Sequence, residues 1–206
     1  MAMPIAPHSI AGIVLAAGAG SRYGQPKALV RDADGVDWLV HAITALDAGG
    51  CSPIIVVLGA AGDLAQARLL ETSLTADLVI VQTPDWATGL SASLAAGLTA
   101  AQPLEAQAVA IVPVDVPDLN PATVARMISA RSDAHGRTEV HADTLRQARF
   151  SGSPGHPVVL GRTHWAPLRA QLTGDTGAGG YLREHHAEPV ECGDLSTGAD
   201  VDTPIS

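Results

Sequence analysis

Aromatic residues are scarce in this chain. Three Trp, two Tyr and one Phe make up 3% of it, so its core must be built from Ala, Val, Leu and Ile. Basic residues are short as well, with 12 Lys and Arg against 21 Asp and Glu, a formal charge of −9. A nucleic-acid binder would show the opposite balance. Any anionic ligand must therefore meet its cations at one local spot. The two cysteines, Cys51 and Cys192, lie far apart and in no metal spacing; two free thiols in a reducing compartment are expected. No apolar run reaches the length of a membrane crossing. The opening MAMPIAPHS lacks a cationic stretch followed by an apolar one, against a signal peptide. The expectation is a cytoplasmic protein with no nucleic-acid or membrane partner. The 206 residues, 47% hydrophobic, suit a single α/β domain over 1–206 with a sizeable core.

The two best-known phosphate loops are missing too. A P-loop needs Lys directly after its last glycine and then Ser or Thr; here Gly24 is followed by Gln25, Pro26 and Lys27. The dinucleotide fingerprint needs G-x-G-x-x-G and a carboxylate at the tip of the second strand. Here the third glycine comes one residue late (Gly18, Gly20, Gly24), and the second apolar run ends in Gly59-Ala60-Ala61. Both departures disfavour a nicotinamide-dependent dehydrogenase.

What is present is an apolar run at 10–17 that reads as a strand buried on both faces. It opens into a loop holding Gly18, Gly20, Gly24, Arg22 and Lys27. Glycines let the backbone approach an anion, successive N–H groups point into the concavity, and the cations neutralise charge. A tight turn with incidental charge is the plainer reading, but it does not call for both cations among three glycines.

Beyond the loop the pattern alternates. Helices are predicted over 37–48, 63–70, about 121–130, 165–172 and 181–186, and strands over 53–58, 77–82, 108–115 and 189–192. Ser91 is a candidate N-cap for a helix that follows the loop at 82–90. Residues 132–150 are polar; edge strands are expected there, one over 139–142. Alternating strands and helices imply a mostly parallel sheet with helices on both faces, a three-layer Rossmann-like α/β fold. In such sheets ligands collect at the carboxyl ends of the strands, which brings Asp115 to the same edge as the Gly18 loop. Asp118 and Asn120 are expected to start the next helix.

Leu15 to Lys27, LAAGAGSRYGQPK, resembles the signature loop LAAGxGxRxGxxK of nucleotidyltransferases that activate molybdopterin and sugar phosphates. Within that superfamily it is most similar to the molybdenum cofactor cytidylyltransferases; relatives using GTP usually carry Leu-Ala-Gly-Gly where this chain has Leu-Ala-Ala-Gly. Five later segments also match. Gln82-Thr83-Pro84-Asp85-Trp86-Ala87-Thr88-Gly89-Leu90-Ser91-Ala92-Ser93 is similar to N-P-x-W-x-x-G-M-S-x-S, with Leu90 in place of Met. Val114-Asp115-Val116-Pro117 is similar to G-D-M-P, with Val114 in place of Gly. Gly152 to Leu160 resembles G-x-x-G-H-P-V-L-F. Gly174 to Gly179 resembles G-D-x-G-A-R, with Gly179 in place of Arg. Asp200 to Pro204 resembles D-x-D-T-P.

The resemblance implies a nucleotide-diphospho-sugar transferase type of fold and transfer of CMP from CTP to the phosphate of a molybdopterin-type acceptor. It places Gln82, Gly89 and Ser91 against base and ribose, His156 and Asp175 at the acceptor, and Mg²⁺ on Asp115 and Asp202. Asp200 and Asp202 point to opposite faces of an extended chain, and the resemblance selects Asp202. A phosphate acceptor is already anionic, so the reaction needs alignment and charge neutralisation rather than a general base. Lys27 is assigned to the α-phosphate. Arg22 and the backbone of Gly18, Gly20 and Ser21 are assigned to the leaving phosphates. Leu15, Ala16 and Ala17 at the strand end are assigned to the base. Ala17 narrows the space there, which favours a pyrimidine. A guanylyl- or sugar-phosphate transferase on the same scaffold, using GTP for instance, stays open, as does a non-catalytic carrier of finished cofactor. The product of the favoured reaction would pass to a molybdoenzyme.

Overall fold

β1 (Ile10–Ala16) and β2 (Ile54–Leu58) are apolar and buried along nearly their whole length because helices cover both faces of the sheet they occupy. The computed structural model describes residues 10–129 and 140–203. The sheet continues with β3 (Leu78–Gln82), β4 (Ala108–Pro113), β5 (Leu145–Phe150), β6 (Ser153–Gly161) and β7 (Glu188–Glu191), in the order β3-β2-β1-β4-β6-β5-β7. β1, β2, β3 and β4 pair in parallel, as do β5 and β7; only β6 runs against both of its neighbours.

Side chains alternate across the strands, so β1 feeds two cores. Ile10, Val14 and Ala16 pack with α1 (Trp38–Ala48), α2 (Gly62–Leu70) and α4 (Pro121–Ile128). Ala11 and Ile13, with Ala17 just past the strand end, pack on the other face with α3 (Leu90–Ala101), α5 (Trp165–Gln171) and α6 (Gly179–Glu184). The result is the expected three-layer α/β arrangement around a mostly parallel sheet. The chain leaves β1 towards β2 on one side and returns through α3 to place β4 on the other. The strand order therefore reverses between β1 and β4, and a crevice opens at their carboxyl ends.

Most predicted elements lie within two residues of the observed ones. The 108–115 strand stops at Pro113, so Asp115 stands beyond the strand tip rather than on it. The polar stretch differs more. Residues 130–139 lie outside the described residues, 140–142 form no strand, and the strand that does form begins at Leu145. It is an interior strand, between β6 and β7. Its polarity is consumed internally: the buried Arg146 donates from Nε to Glu188 Oε2 (2.9 Å) and from its guanidinium to the carbonyls of Met127 and Ser129 at the end of α4. Cys51 and Cys192 are free and buried, and burial pushes the Cys51 thiol up to about 12. No helix among the described residues is long and apolar enough to cross a membrane.

One of the few aromatics anchors the second core. Trp165 is 1% exposed, donates from Nε1 to the Leu160 carbonyl (3.0 Å), and carries the Arg162 guanidinium 5.0 Å over its ring. Trp165→Ala removes that packing and leaves a cavity, so the expected loss of stability is about 3–5 kcal/mol, measured by urea unfolding.

Candidate active site

The crevice between β1 and β4 is a cleft of about 410 Å³ lined by Lys27 among others. Lys27 opens a short 3-10 turn, Lys27–Leu29, at the far end of the glycine loop. Its Nζ lies 2.7 Å from Asp115 Oδ2 and 2.9 Å from Asp202 Oδ1, and Arg22 reaches Asp202 Oδ2 at 3.2 Å. The Lys27 and Asp115 side chains are 14% and 19% exposed, whereas Arg22 is 82% exposed. The cleft is thus cationic at its rim and paired at its base. Burial works against the Lys27 ammonium, but hydrogen bonds and charge from Asp115 and Asp202 outweigh it and hold its pKa above the ordinary value. The hydrogen bond from Lys27, then its charge, holds Asp202 below the usual carboxylate range. Both groups are therefore ionised at neutral pH.

Long-range backbone bonds bring these residues together. The Val114 N–H donates to the Leu15 carbonyl (3.1 Å), and the Val201 N–H to the Asp115 carbonyl (2.9 Å). Asp118 holds the late chain by accepting from Thr197, and Asn120 donates to the Leu195 carbonyl. Of the two residues expected to start α4, Asn120 caps it by accepting from Thr123, and Asp118 serves this tether instead. Asp200 and Asp202 diverge as an extended chain requires: Asp202 lines the cleft, and Asp200 lines a separate polar cavity beside β5 and β6. Pro204, the last residue of that match, lies outside the described residues.

The loop closes on itself through the Gly24 N–H to the Gly20 carbonyl (2.8 Å). Gly20 has φ +62°, and a Cβ on it would sit 1.8 Å from the Gln25 carbonyl oxygen. Gly18 is exposed, and a Cβ there would meet nothing within 4 Å.

A second chamber of about 290 Å³ continues from the first, sharing Leu15, Gly18, Ser21 and Leu90 with it. Ala17, Trp86, Gly89, Ser93 and Asp175 line it as well. Four expected site residues lie elsewhere than expected. Gly89, not Ser91, holds the N-cap position of α3; Ser91 is the second helical residue, and its N–H is taken by the Gly174 carbonyl (3.1 Å). Ser91 is buried and lines neither chamber, while Ser93, two residues on, lines the second. Gln82 is exposed at the end of β3, where its Nε2 donates to Gln66 on α2 (3.1 Å), away from both chambers. Asp175 stands in this chamber rather than beside His156. His156 is half-buried and lines neither chamber; lost hydration lowers its pKa while the charges of Asp115 and Asp200 pull it up. Tyr23 also lines the first chamber, braced edge-on against Trp38 at 5.4 Å between ring centroids. Its position inside the loop motif, in a chain with two tyrosines, was the available signal for it.

The profile of the MobA-like NTP transferase domain matches residues 12–190. The chain belongs to that family. It is 34% identical over 197 residues to nicotine blue oxidoreductase of Paenarthrobacter nicotinovorans, covering 94% of this chain and 92% of that protein. Among solved structures, Rv0371c from Mycobacterium tuberculosis H37Rv superposes with a TM-score of 0.71 at 27% identity, over 97% of this chain and 95% of that one. A manganese complex of Rv0371c matches with a TM-score of 0.66 at 24% identity, over 94% of each chain. A nucleotidyl transferase from Methanothermobacter superposes with a TM-score of 0.72 over 95% of this chain and 92% of its own; at 20% identity that likeness is one of fold.

In this member of the MobA-like NTP transferases, the metal question turns on Asp115. Among the described residues, no three His, Cys, Asp or Glu side chains come together as a metal cage. Asp115 Oδ1, however, is buried with no hydrogen-bond partner, and a buried unpartnered carboxylate oxygen is costly unless something completes it. Two carboxylates with phosphate oxygens and water suit an octahedral, oxygen-loving divalent cation. The residues fit the group. The Arg that the family motif carries at position 179 has a neighbour in its stead: Arg183 NH1 lies 3.6 Å from a Cβ built on Gly179.

Proposed function

We propose that the protein, acting as a single nucleotidyltransferase domain over 1–206 in the cytoplasm, transfers CMP from CTP to the terminal phosphate of a molybdopterin-type acceptor. An acceptor phosphate oxygen attacks the α-phosphorus, the bond from that phosphorus to the β-phosphate's bridging oxygen breaks, and pyrophosphate leaves. The observation that carries this reading is the Lys27 ammonium held between Asp115 and Asp202 at the end of the glycine loop, with the exposed Arg22 paired to Asp202 at the rim. Lys27 meets the charge that develops at the α-phosphate, and Arg22 with the backbone at Gly18, Gly20 and Ser21 holds the leaving phosphates. Asp115 and Asp202 would hold Mg²⁺, which would supply further neutralisation of the phosphates when bound. The manganese complex of Rv0371c lends support to a divalent metal.

Ala17 lines the inner chamber and narrows it relative to a glycine, which supports a pyrimidine over GTP. His156 is assigned to the acceptor side on the resemblance of Gly152 to Leu160 to the family segment. The product would pass to a molybdoenzyme.

The name of the 34% identical relative favours a second reading, an oxidoreductase on the same scaffold. Incubating the protein with each NTP, Mg²⁺ and molybdopterin separates the two. The transferase reading expects pyrophosphate release with CTP, a CMP adduct by mass, and loss of both on adding EDTA. Release with GTP alone would move the assignment to a guanylyltransferase. Consumption of a reduced nicotinamide or flavin without pyrophosphate would replace the transferase reading by the oxidoreductase one, and cofactor binding without either would point to a carrier.

A further inference from the structure

The second chamber differs in chemistry from the first. Its inner wall is formed by the side chain of Trp86 and by the buried Ala17 and Ser93. Its one charged group is the carboxylate of Asp175, and Asp175 makes no hydrogen bond or ion pair among the described residues. The carboxylate is exposed, and the turn that carries it is tied down on both sides. The Gly174 carbonyl accepts from the Ser91 N–H of α3, and Thr176 closes a turn back onto Thr173 through both backbone and hydroxyl. The turn presses so closely that a Cβ on Gly89 would sit 2.4 Å from the Gly174 carbonyl oxygen and 2.5 Å from Asp175 Oδ1; Gly89 itself has φ +118°. Residue 89 must therefore be glycine for residue 175 to stand where it does.

An ionised carboxylate only accepts hydrogen bonds. A phosphate-bearing acceptor would be repelled here, because no cation lies within ion-pairing distance of Asp175 among the described residues. A ribose suits it: two neighbouring hydroxyls offer two donors to two oxygens, the pairing that carboxylates make with ribose in dinucleotide sites. The placement agrees. With the triphosphate at Lys27 and Arg22 and the base against Trp86 and Ser93, the sugar must pass where the chambers join. Gly89, on which the carboxylate rests, immediately precedes Leu90, which lines both.

We propose that Asp175 is the ribose anchor of the nucleotide subsite, selecting ribonucleotides over deoxyribonucleotides. This rests on the nucleotidyltransferase reading. The test is calorimetric binding, with Mg²⁺ present, of CTP and GTP and of their 2′-deoxy and 3′-deoxy counterparts, to the wild-type protein, Asp175→Ala and Asp175→Asn. The wild type is expected to bind its ribonucleotide about 10- to 100-fold more tightly than the deoxy forms. Both variants should lose that preference by weakening only for the ribonucleotide. An unchanged ribo-to-deoxy ratio in the variants overturns the assignment, and does so in favour of an acceptor role if the acceptor KM rises instead. Failure of the wild type to bind any NTP overturns the transferase reading, and the ribose anchor with it.

Discussion

Lys27→Ala is expected to lower kcat for pyrophosphate release about 100- to 1,000-fold, the range for removing one preorganised group that meets developing charge. Its Nζ stands within 2.9 Å of carboxylate oxygens from two segments separated by 87 positions, Asp115 and Asp202. No other described cation reaches Asp115, and Arg22, at the exposed rim, reaches only Asp202. Without the ammonium, two carboxylates face each other across the cleft with one oxygen of Asp115 already unpartnered. The fold should survive, since the lost interactions are a few charge-assisted hydrogen bonds at a cleft, with a cost of about 1–3 kcal/mol. Lys27→Arg keeps the charge but replaces a point ammonium with a planar fork, so recovery should be partial. Asp115→Asn keeps shape and removes charge, and should lower kcat on a similar scale. Turnover within tenfold of wild type in both Lys27→Ala and Asp115→Asn would show that this cluster is structural and that the chemistry lies elsewhere.

The Lys27–Asp115 part of that cluster was legible in the sequence because its logic is general, whereas Asp202 was reached only through the resemblance of Asp200 to Pro204 to D-x-D-T-P. A buried strand that ends in glycines and cations, and a second strand that ends near a carboxylate, must meet if the sheet is parallel and the two strands are neighbours. β1 and β4 are such neighbours. The pieces that were not legible depend on contacts between distant segments. Ser91 looks like a helix cap because serine usually is one. The α3 helix starts earlier because the 173–176 turn, more than eighty residues away, leans on Gly89 and takes the Ser91 N–H. Gln82 sits at a strand end like other ligand-contacting residues, but β3 is the edge strand, two places from the crevice, and its side chain finds Gln66. β5 is hidden by its own arginines. Nothing local says that Arg146 will be 2% exposed, because its partners are Glu188 and the carbonyls that end α4. Asp175 could be assigned to a segment by motif, but the chamber that segment faces is a property of the closed fold.

Gly20→Ala should damage both stability and turnover, whereas Gly18→Ala should damage turnover alone. At Gly20 the obstacle is backbone: an added Cβ would lie 1.8 Å from the Gln25 carbonyl oxygen and 2.8 Å from its carbon. No side-chain rotation relieves that clash, so the loop must open, breaking the Gly24-to-Gly20 bond and moving Lys27, two residues past the obstructing carbonyl. The left-handed conformation alone costs about 1–3 kcal/mol for a residue with a side chain, and thermal unfolding should register at least that. A displacement of about 1 Å in a positioning group can cost about 100-fold in rate, so kcat/KM should fall by that order. At Gly18 a Cβ meets no protein atom within 4 Å, and stability should stay within about 0.5 kcal/mol of wild type. Gly18 lines both chambers, however, so the added methyl would occupy the path of the bound nucleotide and raise the KM for NTP while the acceptor KM holds. Equal KM values for NTP in Gly18→Ala and wild type would mean that the nucleotide does not cross the loop at this point. The route from triphosphate to base would then have to run along the Leu90 side of the cleft.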